Sequence, residues 1–390
     1  MKGFDLTTEQ LRQVVAAYKE RIVEGLANSD REIAALPTYL GLPDGSEKGK
    51  ALVVDTGGTN MRAALVELSP SDGALLAGPV AARVPDGRDG VALAGSTFFA
   101  AQADLAAGLE GLKADHSLPL GYCFSYPAKN NPGGDAVLLR WTKGLCIDGV
   151  VGKAVGAELQ NALKEKGVET AGLTVLNDTV ASLLGGVHLY GKPTYGHNYI
   201  GLILGTGSNM AGVFTHKDLT KVNCDKPMVV NLESGNFNCP LLTPFDDELD
   251  AESNNVGAQR FEKAVSGHYL PQLFDKAHPG LNLGTDSGKL VDLRDNGSGE
   301  AAELAGVILR RSARLVAAGL AAVAELYPAD KDTAVLGEGG LLWGDAKYAP
   351  TVEETLKELL PQRKIELVRQ RENVNLLGAA AAALGAVEKV

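Results

Sequence analysis

The sequence predicts an α/β protein built from two related lobes. A glycine-rich turn occurs twice: residues 51–66 read ALVVDTGGTNMRAALV and residues 200–214 read IGLILGTGSNMAGVF. Apolar runs of Val, Leu and Ile flank each glycine cluster, the pattern of strand, turn, strand. The chain has 390 residues, 45% of them hydrophobic, too many for one ordinary core and enough to fill two.

The elements follow in order. Residues 7–36 have helical spacing, with Leu11, Val14, Val15, Tyr18, Ile22 and Leu26 on one stripe and Thr7 or Thr8 available as a cap. This segment reads as a packing arm. Strand signals begin near residue 50, helical stretches follow near 92–113 and 150–166, and the strand LTVLN ends at Asn177. The second unit opens with the helix VASLLGGVHLY, repeats the hairpin, and carries a long apolar helix from about 300 to 326 that Pro328 helps to close. The Ala-rich helix NLLGAAAAALGAV, capped upstream by Asn373 or Asn375, suits tight packing against an earlier domain. DNGSG at 295–299 reads as a mobile surface loop. The predicted division is a helical arm over 1–40, a small domain over 41–177 that takes back the C-terminal helix 375–390, and a large domain over 178–374.

A net charge of -11 disfavours nucleic acid or an anionic membrane surface as partner, because either needs a basic face to displace counterions. Cys123, Cys146, Cys224 and Cys239 show no C-x-x-C spacing, so they read as buried free thiols. MKGFDLTTEQ has no apolar signal region and no 18 apolar residues run together, which gives a cytoplasmic expectation.

Gly57-Gly58 and Gly205-Thr206-Gly207 leave the backbone free to turn sharply, so successive N–H groups can donate to an anion such as phosphate. Neither is a Walker loop, which ends in Gly-Lys-Ser/Thr, and the dinucleotide fingerprint is absent. Either copy alone reads rather as an ordinary tight turn. The match of Thr59-Asn60-Met61 to Ser208-Asn209-Met210 favours a shared function.

The segments DTGGTNMR, FSYPAKN, RWTKG, NDTVASLLGG, GTGSN, VNLESGNF and GAQRFEKAVSGHYL occur in the order seen in hexokinases. From about residue 45 onward the chain resembles a compact, single-unit hexokinase. That resemblance implies the actin-like, ribonuclease-H-like ATPase fold, with duplicated βββαβα cores and a central cleft where ATP and a hexose meet. It implies as partners ATP with Mg2+ and glucose or a related hexose, in a monomer or homodimer. Transfer of a phosphoryl group to a sugar hydroxyl needs a base, cations for the developing charge, and a pocket holding the acceptor in line.

By this resemblance Asp178 is the base, at a strand-to-helix junction where the helix dipole keeps it ionised. On residue chemistry alone it reads rather as a cap for a helix beginning at Thr179. Lys143 resembles the family lysine that reaches the transferred group or the sugar, and its other reading is solvated surface charge. Arg62 belongs to the phosphate-binding element, touching phosphate or bracing its acidic partner, unless it is a strand-edge cation. The implied sugar contacts are Ser125, Thr142, Lys143, Asn177, Asp178, Asn209, Glu233 and Glu262, with Gln259 close by. Unaided, Glu262 reads as an exposed residue of an amphipathic helix. Nucleotide contacts fall on Asp55, Gly57, Gly58, Thr59, Asn60, Arg62, Gly205, Thr206 and Gly207. VLGEGGLLWG resembles the turn beside adenosine, which adds Gly339 and Gly340. Asp55 is the implied partner of Mg2+, through water.

The chain departs from the family pattern at Asn130, where glutamine is usual, Ser234, where an aromatic follows, Leu145, where phenylalanine is usual, and Glu338, where aspartate is common. These departures bear on sugar preference. Two other classes share parts of the pattern. A non-catalytic sugar sensor would lose Asp178, Lys143 or a phosphate turn, and an actin-like ATPase would lack RWTKG, VNLESG and QRFEKAVSG. A repressor-type glucokinase would carry a cysteine-rich zinc motif.

Overall fold

The computed structural model describes residues 3–87, 91–112, 118–142 and 144–385. Helix α1 (Thr8–Ala27) starts at a capping box in which Thr7 and Gln10 satisfy each other's backbone, and it buries the predicted stripe. It stops at Asn28, well before residue 36. Asp30 and Ala35 take left-handed backbone angles in the segment beyond, so the chain runs on without helix into β1 (Leu36–Pro37).

The first repeat is an antiparallel run of β2 (Gly49–Thr56), β3 (Asn60–Ser69) and β4 (Asp72–Arg83). After β5 (Leu93–Ala94) and α2 (Gly95–Ala107), β6 (Leu120–Phe124) joins β2 in parallel. A small hairpin, β7 (Ala128–Asn130) with β8 (Ala136–Leu138), and β9 (Ile147–Asp148), paired with β5, precede α3 (Val155–Glu165). Then β10 (Leu173–Leu176) lies parallel to β6, closing a sheet of order β10-β6-β2-β3-β4. Helix α4 (Asp178–Tyr190) leads out.

The second repeat has the same plan. β11 (Tyr199–Leu204), β12 (Ser208–Phe214) and β13 (Met228–Asn231) run antiparallel. Helices α5 (Pro244–Ala251), α6 (Arg260–Val265), α7 (Leu270–Ala277), α8 (Ser287–Asn296) and α9 (Gly299–Ala324) follow. β14 (Thr333–Glu338) then adds in parallel to β11. After α10 (Gly340–Gly344) and α11 (Tyr348–Leu359), β15 (Ile365–Arg369) adds in parallel to β14, and α12 (Val374–Ala383) ends the unit. The order β15-β14-β11-β12-β13 repeats β10-β6-β2-β3-β4 strand for strand, with β1 as an added edge. This is the duplicated βββαβα core of the actin-like fold.

Strand periodicity assigns the layers. In β2, Leu52 and Val54 face a core with α2 and α3, while Ala51 and Val53 face the other way, toward α4 and α12. In the other sheet Ile200 and Leu202 face α1 and α9, while Ala211, Val213, Ala334 and Leu336 face α4 and α12. The two helices therefore form a shared middle layer between the sheets. They cross at backbone distance, since a Cβ on Gly378 would stand 1.8 Å from the Ala181 carbonyl oxygen. Only glycine fits there.

Other expectations change in detail. Asn373 precedes α12 but its side chain makes no cap bond. Asp295 and Asn296 belong to α8, and Asp295 pairs with Arg294 and Lys347, so the expected loop shrinks to Gly297-Ser298. Cys123, Cys224 and Cys239 are buried, but Cys146 is exposed. Among the described residues no helix is long and apolar enough to cross a membrane.

Candidate active site

Both glycine turns lie at the carboxyl ends of the first strands of their repeats, and β6, β10 and β14 end beside them. In the first turn the Gly57 N–H donates to the Asn60 carbonyl, 3.0 Å, and Tyr126 donates its hydroxyl to the Gly57 carbonyl. Thr59 and Asn60 are exposed at its tip. In the second, the Gly205 N–H donates to the Gly207 carbonyl, 3.0 Å, and Thr206 is exposed.

Two other backbone segments press on the second turn. Gly267 and His268 donate their N–H groups to the Gly205 and Thr206 carbonyls, at 2.7 and 3.2 Å. Gly339 has φ +122°, and a Cβ on it would stand 2.0 Å from the Leu204 carbonyl oxygen. A side chain there would clash and strain the backbone together. Gly205, Thr206, Gly339 and Gly340 thus form one open backbone surface.

Asp55 and Arg62 are cross-strand partners in β2 and β3. Arg62 Nε and Nη2 donate to Asp55 Oδ2 at 2.9 and 2.5 Å, Nη1 donates to Asn373 Oδ1 at 3.0 Å, and Nη2 also reaches Asn375 Oδ1 at 3.3 Å. Burial works against the guanidinium charge, but Asp55 outweighs it and raises the Arg62 pKa. Of the two roles open to Arg62, these contacts match bracing of an acidic partner. The Asn373 carboxamide, expected as a cap, is held by this cluster instead.

Asp178 is the first residue of α4, and Asn177 is its cap: the Thr179 N–H donates to Asn177 Oδ1 at 2.9 Å. The alternative reading of Asp178 as the cap therefore falls to its neighbour. Asp178 Oδ1 also accepts from the Thr179 N–H, 2.7 Å, and hydroxyl, 3.2 Å. Oδ2 accepts no hydrogen bond from the described residues, and the residue is half-buried. One oxygen is fixed and the other can meet a ligand.

Glu338, at the end of β14, faces the same region. Ser182, one turn beyond Asp178 on α4, donates its hydroxyl to Glu338 Oε1. Gln370 Nε2 donates to that hydroxyl at 2.7 Å. Burial pushes the Glu338 carboxyl up to about 7; the Ser182 bond opposes the shift, Asp178 and Asp55 add to it, and Arg62 offsets part of it.

A third group gathers around β12 and β13. Asn209 Nδ2 donates to Asn231 Oδ1, 2.9 Å, and Asn231 Nδ2 donates to Glu233 Oε1, 2.8 Å. Asn209 Oδ1 accepts from the Ser234 N–H, 3.1 Å. Glu233 adopts a left-handed backbone, φ 54°, which turns its carboxylate back toward Asn231. Glu262 on α6 is not the exposed residue its helix pattern suggested: it is half-buried, and Oε2 accepts from the Ser208 N–H at 2.8 Å. Gln259 accepts from Asn255 Nδ2, 2.7 Å. Ser125 follows β6 and donates its N–H to the Thr56 carbonyl, 3.1 Å. The Thr142 carbonyl accepts from the Leu145 N–H, 3.3 Å. Lys143 lies outside the described residues.

Sequence reasoning missed Ser182, Gln370, Asn231 and the Gly267-His268 pair. Asn231, Ser182 and Gly267-His268 sit inside VNLESGNF, NDTVASLLGG and GAQRFEKAVSGHYL and shared those motif signals; Gln370 carried none.

Hexokinase family models match residues 1–188 and residues 199–277 with 299–385. The chain belongs to the hexokinase family. It is an ATP-dependent hexose kinase with the two-lobed actin-like fold. Hexokinase-1 of Nicotiana tabacum is 31% identical over 413 residues, covering 90% of this chain and 82% of its own. Hexokinase-7 of Oryza sativa subsp. japonica is 29% identical over 437 residues, covering 95% and 92%. Among solved structures, a hexokinase from Schistosoma mansoni complexed with glucose superposes with TM-score 0.82 at 24% identity, covering 98% of this chain and 97% of that one. A ROK family glucokinase from Streptomyces griseus in complex with glucose and AMPPNP shares the fold more distantly, with TM-score 0.55, 20% identity and coverage of 86% and 99%.

Proposed function

We propose that this hexokinase transfers the γ-phosphoryl group of ATP to the 6-hydroxyl of glucose, with Asp178 as general base. The observation that carries the reading is the Asp178 carboxylate: one oxygen is pinned by Thr179 at the start of α4, and the other has no partner among the described residues. A base must be oriented and still reachable, and this residue meets both conditions. Asn177, Asn209, Glu233, Glu262, Ser125 and Thr142 are proposed to bond the sugar hydroxyls, with Lys143 on the transferred group. Carboxylates and amides already tied to each other discriminate well, because an analogue lacking a hydroxyl leaves them unpaired.

The nucleotide phosphates are assigned to the backbone of Gly57, Gly58, Thr59 and Asn60 on one wall and Gly205, Thr206 and Gly207 on the other, with adenosine near Gly339 and Gly340. Among the described residues no group of three or more His, Cys, Asp or Glu is gathered to hold a metal ion, and Asp55 Oδ2 is committed to Arg62. Such a donor set fits magnesium that keeps its hydration shell and touches Asp55 through water. When bound with ATP, magnesium neutralises charge on the outer phosphates. We assign the small domain to 41–177 with 375–390 and the large domain to 178–374, closing on the hexose to exclude water. Residues 386–390 lie outside the described residues.

Asp178→Ala should lower sugar-dependent ADP production about 10²- to 10⁴-fold, the usual worth of general-base help. Production near the native level would remove Asp178 from the base role. A coupled assay across glucose, mannose, fructose and glucosamine at one ATP concentration should give the highest kcat/KM with glucose, and a different winner would reassign the substrate.

A further inference from the structure

The Glu338 carboxyl has no part in the reaction as described so far. Its backbone ends β14 just before the Gly339–Gly340 turn, while its side chain crosses to α4 and accepts from Ser182. Gln370, just beyond β15, donates to the same hydroxyl, so the Ser182 proton is directed toward Glu338.

The charged and titratable groups facing Glu338 come from several elements. They are Asp178 on α4, Asp55 on β2 and Arg62 on β3, with the Cys123 thiol of β6 lying against Asp55 and Asp178. Glu338 and Asp55 thus share the field of one guanidinium, and Arg62 is already paired with Asp55. Among the described residues Glu338 accepts one side-chain hydrogen bond, from a neutral hydroxyl, and Arg62 offsets its charge only in part.

We propose that Glu338 is a positioning residue for phosphoryl transfer: its charge drives Asp178 to take up the sugar hydroxyl proton, and its bond to Ser182 ties the nucleotide turn to the helix carrying that base. The inference rests on Asp178 being the base. Asp178 accepts the proton of the 6-hydroxyl as the new O–P bond forms and the bond to ADP breaks; Glu338 neither gains nor loses a proton in that step. An ionised Glu338 repels the Asp178 charge and so favours proton uptake there, whereas a neutral Glu338 does not. Burial places this change of charge near neutrality, at about 7.

The test is kcat across about pH 5.5 to about pH 9 at saturating glucose and ATP for the native protein, Glu338→Gln, Ser182→Ala and Asp178→Ala. In the native protein kcat should rise about 3- to 10-fold as Glu338 ionises, a factor set by one nearby charge. Glu338→Gln should stay on the low plateau throughout, with the glucose KM changed less than about 2-fold. Ser182→Ala should keep the rise but move its midpoint to higher pH, because the bond it removes favours the ionised carboxyl. A native-shaped rise in Glu338→Gln, or a uniform loss at every pH with the shape unchanged, overturns the proposal. An unmoved midpoint in Ser182→Ala also overturns it, whether or not Glu338→Gln folds. A fully active Asp178→Ala would sink the base assignment instead; an inactive one beside a native-shaped Glu338→Gln would sink only the inference about Glu338.

Discussion

The two glycine turns share a backbone plan and differ in what stands behind them. Behind the first stand side chains: Asp55 and Arg62 are paired, and Asn373 and Asn375 reach from the start of α12 to hold Arg62. Behind the second stands backbone: Gly267 and His268 donate to it, and Gly339 packs where no side chain fits. Its acidic neighbour, Glu262, accepts from the Ser208 N–H. In a duplicated fold this divergence marks a division of labour. On the proposed function, one half presents fixed charge to a polyphosphate, and the other leaves room for the body of a nucleotide to come close.

The sharpest way to break that contrast is at the crowded turn. Gly339→Ala should destabilise the protein by about 2–4 kcal/mol, from backbone strain and displacement of the Leu204 carbonyl, and should raise the ATP KM with it. Urea denaturation and nucleotide kinetics check both parts, and a variant as stable as the native protein would mean that the second turn tolerates a side chain.

Breaking the charged turn should cost less. Arg62→Met leaves the Asp55 carboxylate without its partner, and the half-buried pair points to a loss of about 1–3 kcal/mol, reduced from the fully buried case because solvent reaches Arg62. Thermal unfolding of the variant beside the native protein measures the loss, and an unchanged Tm would mean that the pair adds nothing to stability.

The smallest effect belongs to the exposed tip of the second turn. Thr206→Ala should raise the ATP KM about 5-fold, the worth of one hydrogen bond, and leave glucose affinity unchanged. A pure loss of glucose affinity would move this residue out of the nucleotide site.

Much of the fold was legible because it rests on local periodicity. The stripe of α1, both hairpins and the apolar helix α9 all follow from spacing that one segment carries by itself. The end of α1 was not legible, since Asn28 to Ala35 contains apolar residues that continue a helical spacing while the backbone turns left-handed. Site residues divide the same way. Asp178 and the glycines sit at strand ends that the sequence marks. Glu262 looked exposed because its partner, the Ser208 N–H, belongs to a strand more than fifty residues earlier. Asn373 looked like a cap because its actual donor, Arg62, lies 311 residues away. The Gln370, Ser182 and Glu338 chain joins three elements that meet only after both repeats have folded around α4 and α12.

Asp178→Asn keeps the shape of the side chain and removes its charge, so it separates proton uptake from sugar binding. Glucose binding can be followed by the fluorescence of Trp141, which packs against Phe124 and Tyr126 beside Thr142. Affinity should stay within about 3-fold of native while kcat falls about 10²- to 10⁴-fold. Native turnover, or an equal fall in affinity and turnover, would contradict the assignment of Asp178 as the base.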